Sequence, residues 1–307
     1  CNDKGGILND PVLLRLAEDE FWFSISDSDL LLWLQGVNVT NKFDVMIDEI
    51  DVCPVQIQGP LSEDLMAKLA GEELREIPYY GLMETKIGGA DVVISQTGFT
   101  GEKGYEIYVR DAHENAEIVW NAVLKAGEEF GLMVIAPAHH RRIAAGILSW
   151  GQDLDLETSP FQVNLSYQVP RNKEADYIGK EELERQRAVI DAGDFPFKMR
   201  MVGLTLGGKE ITDYAPDFWL IADTDGNDMG YITSPWWSPE LNTNIALGWV
   251  PHTSSEIGTK LQVRLPDEYS ESSGVPVEGE VVDVPFRESV TPNKREVQKA
   301  KGLDYAD

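Results

Sequence analysis

The segment TGFTGEKGYEIYV, residues 97–109, contains the residues best suited to chemistry. Its three glycines precede a strand-like run rather than a helix, so they do not form the helix-opening loop that binds phosphate. Alternate residues of a strand share a face, and Glu106 and Tyr108 therefore point together. On an inward face they offer a carboxylate that accepts N–H bonds from a heterocycle and a phenol that donates. Spacing alone favours the other interpretation, a solvated face of an edge hairpin.

Asp10 is a second candidate, because it follows Asn9 and precedes Pro11 at the mouth of a predicted hairpin. A partly desolvated carboxylate at such a position orients or protonates a reacting amine. Asn-Asp-Pro is also an ordinary turn leading into a strand, and this structural interpretation is favoured on the local signal alone.

The basic run from His139 to Arg142 begins a predicted helix in a very acidic chain. Its arginines are suited to binding carboxylates such as a glutamate tail, and the alternative is surface charge balance. Trp150 and the pair Trp236-Trp237 provide aromatic faces for a cation, although core packing is the commoner use of tryptophan.

In the first part of the chain, the secondary-structure elements that must position these residues include both strands and helices. Residues 11–26 contain two apolar runs separated by an acidic turn, which predicts a hairpin. A second hairpin turns at Gly88-Gly89, and the strand Tyr105–Val109 follows it. Apolar residues at helical spacing predict four helices. These are a helix after Pro60 with Ser62 as N-cap, and helices over residues 113–130, 138–149 and 180–190.

Residues 191–196, DAGDFP, have the composition of a domain boundary. Beyond them, short apolar runs recur between turns without a convincing helix, which predicts an antiparallel barrel or sandwich. The runs are Met199–Leu206, Phe218–Ala222, Ile245–Val250, Leu261–Leu265 and Gly279–Val284. The predicted division is therefore a first module over 1–192, a β domain over 197–287 and a charged tail over 288–307.

Composition excludes several classes of partner. The chain has 307 residues, with 53 acidic and 26 basic side chains and a formal charge of −27, which argues against nucleic acid. No segment approaches the ~18 apolar residues of a membrane helix, so no membrane partner is expected. Two cysteines without a CxxC pair and four histidines predict neither a disulfide framework nor a metal site, as in a cytoplasmic protein. The chain starts at Cys1 without a leader, so we expect its N-terminal part to be missing.

Several of these signals occur in the same order as in the glycine-cleavage T-protein superfamily. QTGFTGEKGYEIYV is very close to the family's TGYTGExGFEIYV, and CNDKGGILNDPVLLRL resembles its NxxGGxxDD segment. HHRRIAAGILSWGQDLD resembles RDxLRLEAGxxLYGxEL, and ADYIGKEEL resembles DFIGKEAL. YITSPWWSPELNTNIALGWV resembles ITSGxxSPxLxxxIALxxV. The likeness covers essentially the whole chain and implies an α+β fold, a folate-binding module of two mixed α/β lobes followed by an antiparallel β-barrel.

The resemblance also implies a cofactor, tetrahydrofolate, and a set of residues that bind it. By position, Asp10 corresponds to the aspartate that contacts the reactive folate nitrogens. Phe99 corresponds to the aromatic residue beside the pterin, and Glu106 to the glutamate that binds the pterin ring. Arg142 corresponds to an arginine of the folate site, and Tyr167 stands where the T-protein has Trp.

Departures from the T-protein pattern favour a demethylase branch. Asn9 replaces the family's first aspartate, Phe99 lacks the tyrosine hydroxyl, and Ala144 replaces the glutamate of RLEAG. NDPV, WFSISDSDLL and SPF resemble segments of dimethylsulfoniopropionate demethylase and related O-demethylases, where Tyr108 matches a pocket tyrosine. The resemblance thus implies an enzyme that moves a methyl group from a small sulfonium or methoxy donor to tetrahydrofolate.

The two donor types make different demands on the protein. A sulfonium donor releases a neutral thioether, so alignment and aromatic contacts to the cation suffice. A methoxy donor needs a proton on its leaving oxygen, and Tyr108 is the predicted acid. Two alternatives stay open, an aminomethyltransferase served by a lipoyl carrier protein and a non-catalytic folate-binding protein. The segment DYIGKEEL lacks the cysteine of the KGCYxGQE motif of non-catalytic relatives, which disfavours the second.

Overall fold

The computed structural model describes residues 1–26, 28–136, 139–171 and 173–287. The strands are β1 (Val12–Arg15), β2 (Phe21–Ser24), β3 (Val52–Gln58), β4 (Leu82–Ile87), β5 (Ala90–Ser95), β6 (Gly104–Arg110), β7 (Met199–Leu206), β8 (Trp219–Ala222), β9 (Asp228–Ser238), β10 (Thr243–Pro251), β11 (Lys260–Val263) and β12 (Val277–Val282). The helices are α1 (Leu30–Asn41), α2 (Ser62–Ala70), α3 (Ala112–Gly127), α4 (His139–Ala144) and α5 (Lys180–Asp191). Short 3₁₀ turns lie at Glu72–Glu76, Glu128–Phe130, Ser166–Gln168 and His252–Ser254.

A four-stranded antiparallel sheet, ordered β3-β6-β5-β4, forms the centre of the first module. One face of β6 places Tyr105, Ile107 and Val109 in a core that it shares with α2 and α3. The opposite face carries Tyr108, which packs with Leu14 of β1. The predicted alternation of β6 is confirmed. The edge-hairpin interpretation is wrong, because β6 lies between two strands and the β1–β2 hairpin packs on its Tyr108 face.

Both predicted hairpins are present, with β1 paired to β2 and β4 paired to β5. The predicted helix over 138–149 is shorter, since α4 ends at Ala144 and Gly146 adopts a φ of +68°; residue 138 lies outside the described residues. Ser62 is the first residue of α2, and Leu61 occupies the N-cap position. The sequence reasoning missed α1, whose segment LLLWLQGVNVTN has no clear apolar stripe and buries none of its residues.

Strands β7 to β12 close into an antiparallel barrel in the order β10-β7-β12-β11-β8-β9. Closure decides between the two predicted β architectures in favour of the barrel. Fully buried residues such as Leu204, Ile221 and Val263 fill its interior. Strand β9 was missed because its Ser234-Pro235 pair resembles a turn.

The first module packs on the barrel through α4. Ile143 of α4 is buried in one cluster with Ile245 and Leu247 of β10. The division at residues 192 and 197 stays a prediction, and the predicted tail over 288–307 lies outside the described residues. Among the helices of the described ranges, none has the length and apolar character needed to cross a membrane.

Candidate active site

Glu106 lies at the centre of a cluster of hydroxyl groups on the hairpin-facing side of β6. Its Cα partners are Ser95 in β5 and Gln56 in β3. Thr97, just beyond β5, donates a short hydrogen bond to Oε2 of Glu106, and the Tyr108 hydroxyl donates to the same oxygen at 3.1 Å. Glu106 is half-buried, and within the described residues no group donates to its Oε1. The carboxylate therefore has one oxygen held by Thr97 and Tyr108 and one without a donor in the described residues.

The environment of Tyr108 determines what its hydroxyl can do. The side chain is 3% exposed and packs with Leu14, and the Ser24 and Thr97 hydroxyls are neighbours of its oxygen. Burial, followed by the negative charge of Glu106, raises the pKa of the Tyr108 phenol well above its ordinary value. The phenol stays protonated at neutral pH and is a weaker acid than a free tyrosine.

The glycine loop over residues 98–104 starts beside Thr97 and carries Phe99, whose side chain is 44% exposed. A Cβ on Gly98 would lie 2.4 Å from Nε2 of Gln56, and one on Gly104 would lie 2.6 Å from the carbonyl oxygen of Ile57. The glycine spacing therefore allows the loop to approach β3 closely, which a bulkier residue would prevent.

Charged residues from α4 and from the segment after β12 hold the same loop. Nη2 of Arg287 lies 2.7 Å from Oε1 of Glu102 and 3.4 Å from the carbonyl oxygen of Thr100. Arg141 of α4 lies 3.4 Å from the Glu102 carboxylate. The Arg287 and Glu102 side chains are 9% and 19% exposed, so water screens this ion pair less than a surface pair.

Asp10 faces a separate space, a cavity of about 460 Å³ next to the hairpin. Its walls are largely apolar and include Phe23 of β2, Trp33 of α1 and Leu183 of α5. Asp10 is half-buried, and within the described residues its carboxylate makes no hydrogen bond or ion pair. Glu106 is not part of this wall, so the structure places the two predicted acids on different surfaces joined by the hairpin.

Two further residues belong to the surroundings of Asp10. Asn9 lines the cavity and fixes the hairpin, since its Nδ2 donates to Ser28 Oγ at 2.9 Å. Its Oδ1 is buried without a hydrogen-bond partner in the described part of the chain. Tyr167 lies in the 3₁₀ turn Ser166–Gln168. The neighbouring Gln168 lines the cavity, and its side-chain amide donates to the Tyr167 hydroxyl at 3.4 Å.

Arg142 lies apart from both surfaces, 1% exposed and directed toward the barrel. Its Nη1 donates to Asp153 at 2.7 Å, its Nη2 donates to Ser234 Oγ at 2.7 Å, and its Nε donates to His139. Each guanidinium nitrogen thus already donates to a protein group. The predicted contact of Arg142 with folate gains no support from this placement.

The aromatic and basic side chains singled out in the sequence pack where α4 meets the barrel. The ring of His139 lies 4.6 Å from that of Tyr214 and 5.4 Å from that of Trp236, measured between centroids. Burial, and then the charge of Arg142, lower the pKa of His139 to about 4, so this histidine is neutral at pH 7. Trp150 donates its indole N–H to the carbonyl oxygen of Ile7 at 3.2 Å. Surface charge balance is therefore the wrong interpretation for the buried Arg142.

Thr97 is the functional candidate that sequence reasoning missed. A register for the β5–β6 pair would have found it, because Ser95 is opposite Glu106 and Thr97 follows two residues later. The sequence predicted both strands but not which residues they place opposite one another.

Comparisons with known proteins decide the family. The family model described as the GCVT N-terminal domain matches residues 1–173, which is more than half of the chain. This chain belongs to the glycine cleavage T-protein family. The model for the glycine cleavage T-protein C-terminal barrel domain matches residues 200–286, which include the closed barrel.

Relatives of this T-protein family chain differ in activity. This chain is 35% identical over 264 residues to dimethylsulfoniopropionate demethylase of Ruegeria pomeroyi, and the alignment covers 86% of this chain and 69% of that protein. It is 31% identical over 273 residues to an aminomethyltransferase of Clostridium botulinum strain Okra, covering 86% and 70%. The crystal structure of glycine cleavage system aminomethyltransferase T from Bartonella henselae superposes with a TM-score of 0.72 at 23% identity, covering 94% of this chain and 74% of that one, which supports the fold.

Membership of the T-protein family confirms the resemblance and the α+β fold with its C-terminal barrel. It also confirms the expected enzyme class, a tetrahydrofolate-dependent one-carbon transferase, and tetrahydrofolate as the one-carbon acceptor. The relatives are named for different reactions, so the family does not by itself fix the donor.

Proposed function

We propose that this chain transfers a methyl group from a small sulfonium donor of the dimethylsulfoniopropionate class to tetrahydrofolate. The observation that carries the proposal is the Glu106 carboxylate, in which Thr97 and Tyr108 hold one oxygen and no group of the described residues donates to the other. The similarity to a dimethylsulfoniopropionate demethylase supports the choice of donor.

The residues present fit a reduced pterin. A pterin presents several N–H donors along one edge, and Glu106 Oε1 is an acceptor without a donor in the described part of the chain. The exposed ring of Phe99 offers an aromatic face against which a flat heterocycle packs. Tetrahydrofolate, when bound, supplies the nucleophilic nitrogen that accepts the one-carbon group. Asp10, half-buried and without an ion pair among the described residues, orients an N–H group or takes its proton.

The state of Tyr108 favours a sulfonium donor over a methoxy donor. A methoxy donor leaves as an alkoxide or phenoxide, so it needs a proton from the protein. The Tyr108 proton is directed at Glu106, and burial raises the pKa of this phenol, so the residue suits holding the carboxylate better than donating a proton. A sulfonium donor needs no acid, because a thioether leaves as a neutral molecule.

The test is a product assay with three donors. The chain is incubated with tetrahydrofolate and dimethylsulfoniopropionate, a methoxybenzoate, or an aminomethylated lipoyl carrier protein, and folate products are separated by mass. We expect methyl-tetrahydrofolate with the sulfonium donor only. Methyl-folate from the methoxy donor alone would overturn the sulfonium assignment, and folate binding without product from any donor would indicate a non-catalytic protein.

Aminomethyl transfer is the second candidate, since relatives 31% identical to this chain are named aminomethyltransferases. That reaction requires a lipoyl carrier protein as partner and yields methylene-tetrahydrofolate and ammonia. Release of ammonia from the aminomethylated carrier, with no methyl-folate from the sulfonium donor, would establish this candidate in place of the first.

A further inference from the structure

We infer that Thr97 is a positioning residue, whose hydroxyl holds one oxygen of the Glu106 carboxylate so that the other oxygen meets the pterin. The inference rests on the proposed function, which assigns pterin binding to Glu106.

The location of Thr97 places its hydroxyl next to the Glu106 carboxylate. Thr97 is 4% exposed and lies two residues beyond Ser95, the Cα partner of Glu106 across the β5–β6 pair. Its Oγ1 donates to Oε2 of Glu106 and lies 3.1 Å from Ser95 Oγ. A buried hydroxyl that loses such a partner is costly, so this contact fixes both residues.

Thr97 and Tyr108 bind the same oxygen of Glu106, and this convergence determines how the carboxylate is presented. The terminal torsion of a glutamate is broad and twofold, so an unrestrained carboxylate presents either oxygen in many orientations. A carboxylate oxygen accepts about two hydrogen bonds, so two donors on Oε2 leave Oε1 as the acceptor for a ligand. Glu106 is thus oriented before the ligand arrives, which reduces the ordering needed on binding.

The two donors do not have equal roles. Tyr108 is held by packing against Leu14 and has Ser24 as a further hydroxyl neighbour, so its orientation depends on the hairpin. Thr97 has a β-branched side chain with few χ1 states and follows directly from the sheet. Thr97 is therefore the donor whose hydroxyl contacts, Ser95 and Glu106, both belong to the sheet.

The experiment compares tetrahydrofolate binding by Thr97→Val, which keeps the shape and removes the hydroxyl, with Thr97→Ser, which keeps the hydroxyl. Calorimetric titration should give a Kd about tenfold to a hundredfold higher for T97V, and within about twofold of the parent chain for T97S. Thr205→Val, on barrel strand β7, is the matched control and should leave the Kd unchanged. Thr97→Ala serves if the valine variant does not fold, as judged by circular dichroism.

A double-mutant cycle separates positioning from a general structural role. If Thr97 acts through Glu106, T97V adds no more than about twofold to the Kd in a Glu106→Gln background. An equal loss in both backgrounds, or a T97V chain that binds like the parent while E106Q binds weakly, would overturn the inference and leave the proposed function standing. Parent-like binding by E106Q would instead remove the proposed function itself.

Discussion

Asp153 and Arg142 form an ion pair, with 2.7 Å between Oδ2 and Nη1, in which neither side chain meets solvent. The other oxygen of Asp153 accepts from the hydroxyl of Thr233 on β9 at 2.6 Å. One carboxylate thus joins α4 of the first module to a strand of the barrel. The pair links these parts of the chain at a point where water cannot replace either partner.

Removing one partner of this pair should destabilise the whole chain. Asp153→Ala leaves a buried guanidinium without its counter-charge, and we expect the free energy of unfolding to fall by about 3–5 kcal/mol. Urea denaturation followed by tryptophan fluorescence measures the change. Asp91→Ala, which breaks the exposed pair with Lys86, is the control and should cost about 1 kcal/mol or less. Equal costs for the two variants would show that the buried pair does not support the junction.

Stability should depend on His139 in weakly acidic solution. The pKa of His139 is lowered to about 4 in the folded chain, so between pH 6.5 and 4 the unfolded chain binds a proton that the folded chain does not. The free energy of unfolding therefore falls as the pH drops through this range, and His139→Gln should reduce that fall. The pKa of the neighbouring His140 is lowered as well, by burial and by Arg141, so each histidine is replaced separately.

His113 provides the control for this pH series. It is exposed, and Asp51 raises its pKa, so its contribution is present at low pH and lost as the pH rises. His113→Gln should therefore change the pH dependence in the opposite sense from His139→Gln. If the free energy of unfolding of His139→Gln depended on pH in the same way as that of the parent chain, the lowered pKa of His139 would be contradicted.

Replacing Tyr108 distinguishes an anchor from an acid. Tyr108→Phe removes one of two donors to Glu106, so we expect tetrahydrofolate to bind about fivefold to tenfold more weakly. Turnover of a sulfonium donor at saturating folate should stay within about threefold, whereas loss of a general acid costs about a hundredfold or more. Tyr105→Phe, on the opposite face of β6, is the control. A hundredfold loss of turnover in Y108F with unchanged folate affinity would restore Tyr108 as the acid.

The ion pair between Glu102 and Arg287 should support folate binding through the loop that carries Phe99. Glu102→Gln weakens the attachment of this loop to the barrel, and we expect the Kd for tetrahydrofolate to rise about threefold to tenfold. Titration by fluorescence measures it, with Lys260→Gln, in an exposed barrel pair, as control. An unchanged Kd would show that the loop keeps its position without this pair.

The position of Glu106 and Tyr108 on one face of β6 was predictable, because the two-residue period of a strand is local geometry. Whether their face is covered was not predictable in the same way. It depends on Leu14 packing against Tyr108, a contact between residues far apart in the chain. The glycines of the loop were recognised as special, but their role in close approach to β3 required the position of Gln56.

Arg142 illustrates a second kind of limit. Its position near a helix start was predicted, yet its burial follows from Asp153 and Ser234, which come from two other segments. An antiparallel barrel or sandwich was predicted from short apolar runs between turns, whereas β9 was missed because Pro235 resembles a strand break. Local patterns thus predicted most elements, and long-range partners determined the site.

Pterin binding at Glu106 is tested most directly by calorimetric titration of the Glu106→Gln chain with tetrahydrofolate. The control is Glu84→Gln, on strand β4 of the same sheet. A charged acceptor for pterin N–H groups should make the Kd of E106Q about tenfold to a hundredfold higher, with E84Q unchanged. Equal affinity of E106Q and the parent chain, with both fully folded, would contradict the placement of a pterin against β6.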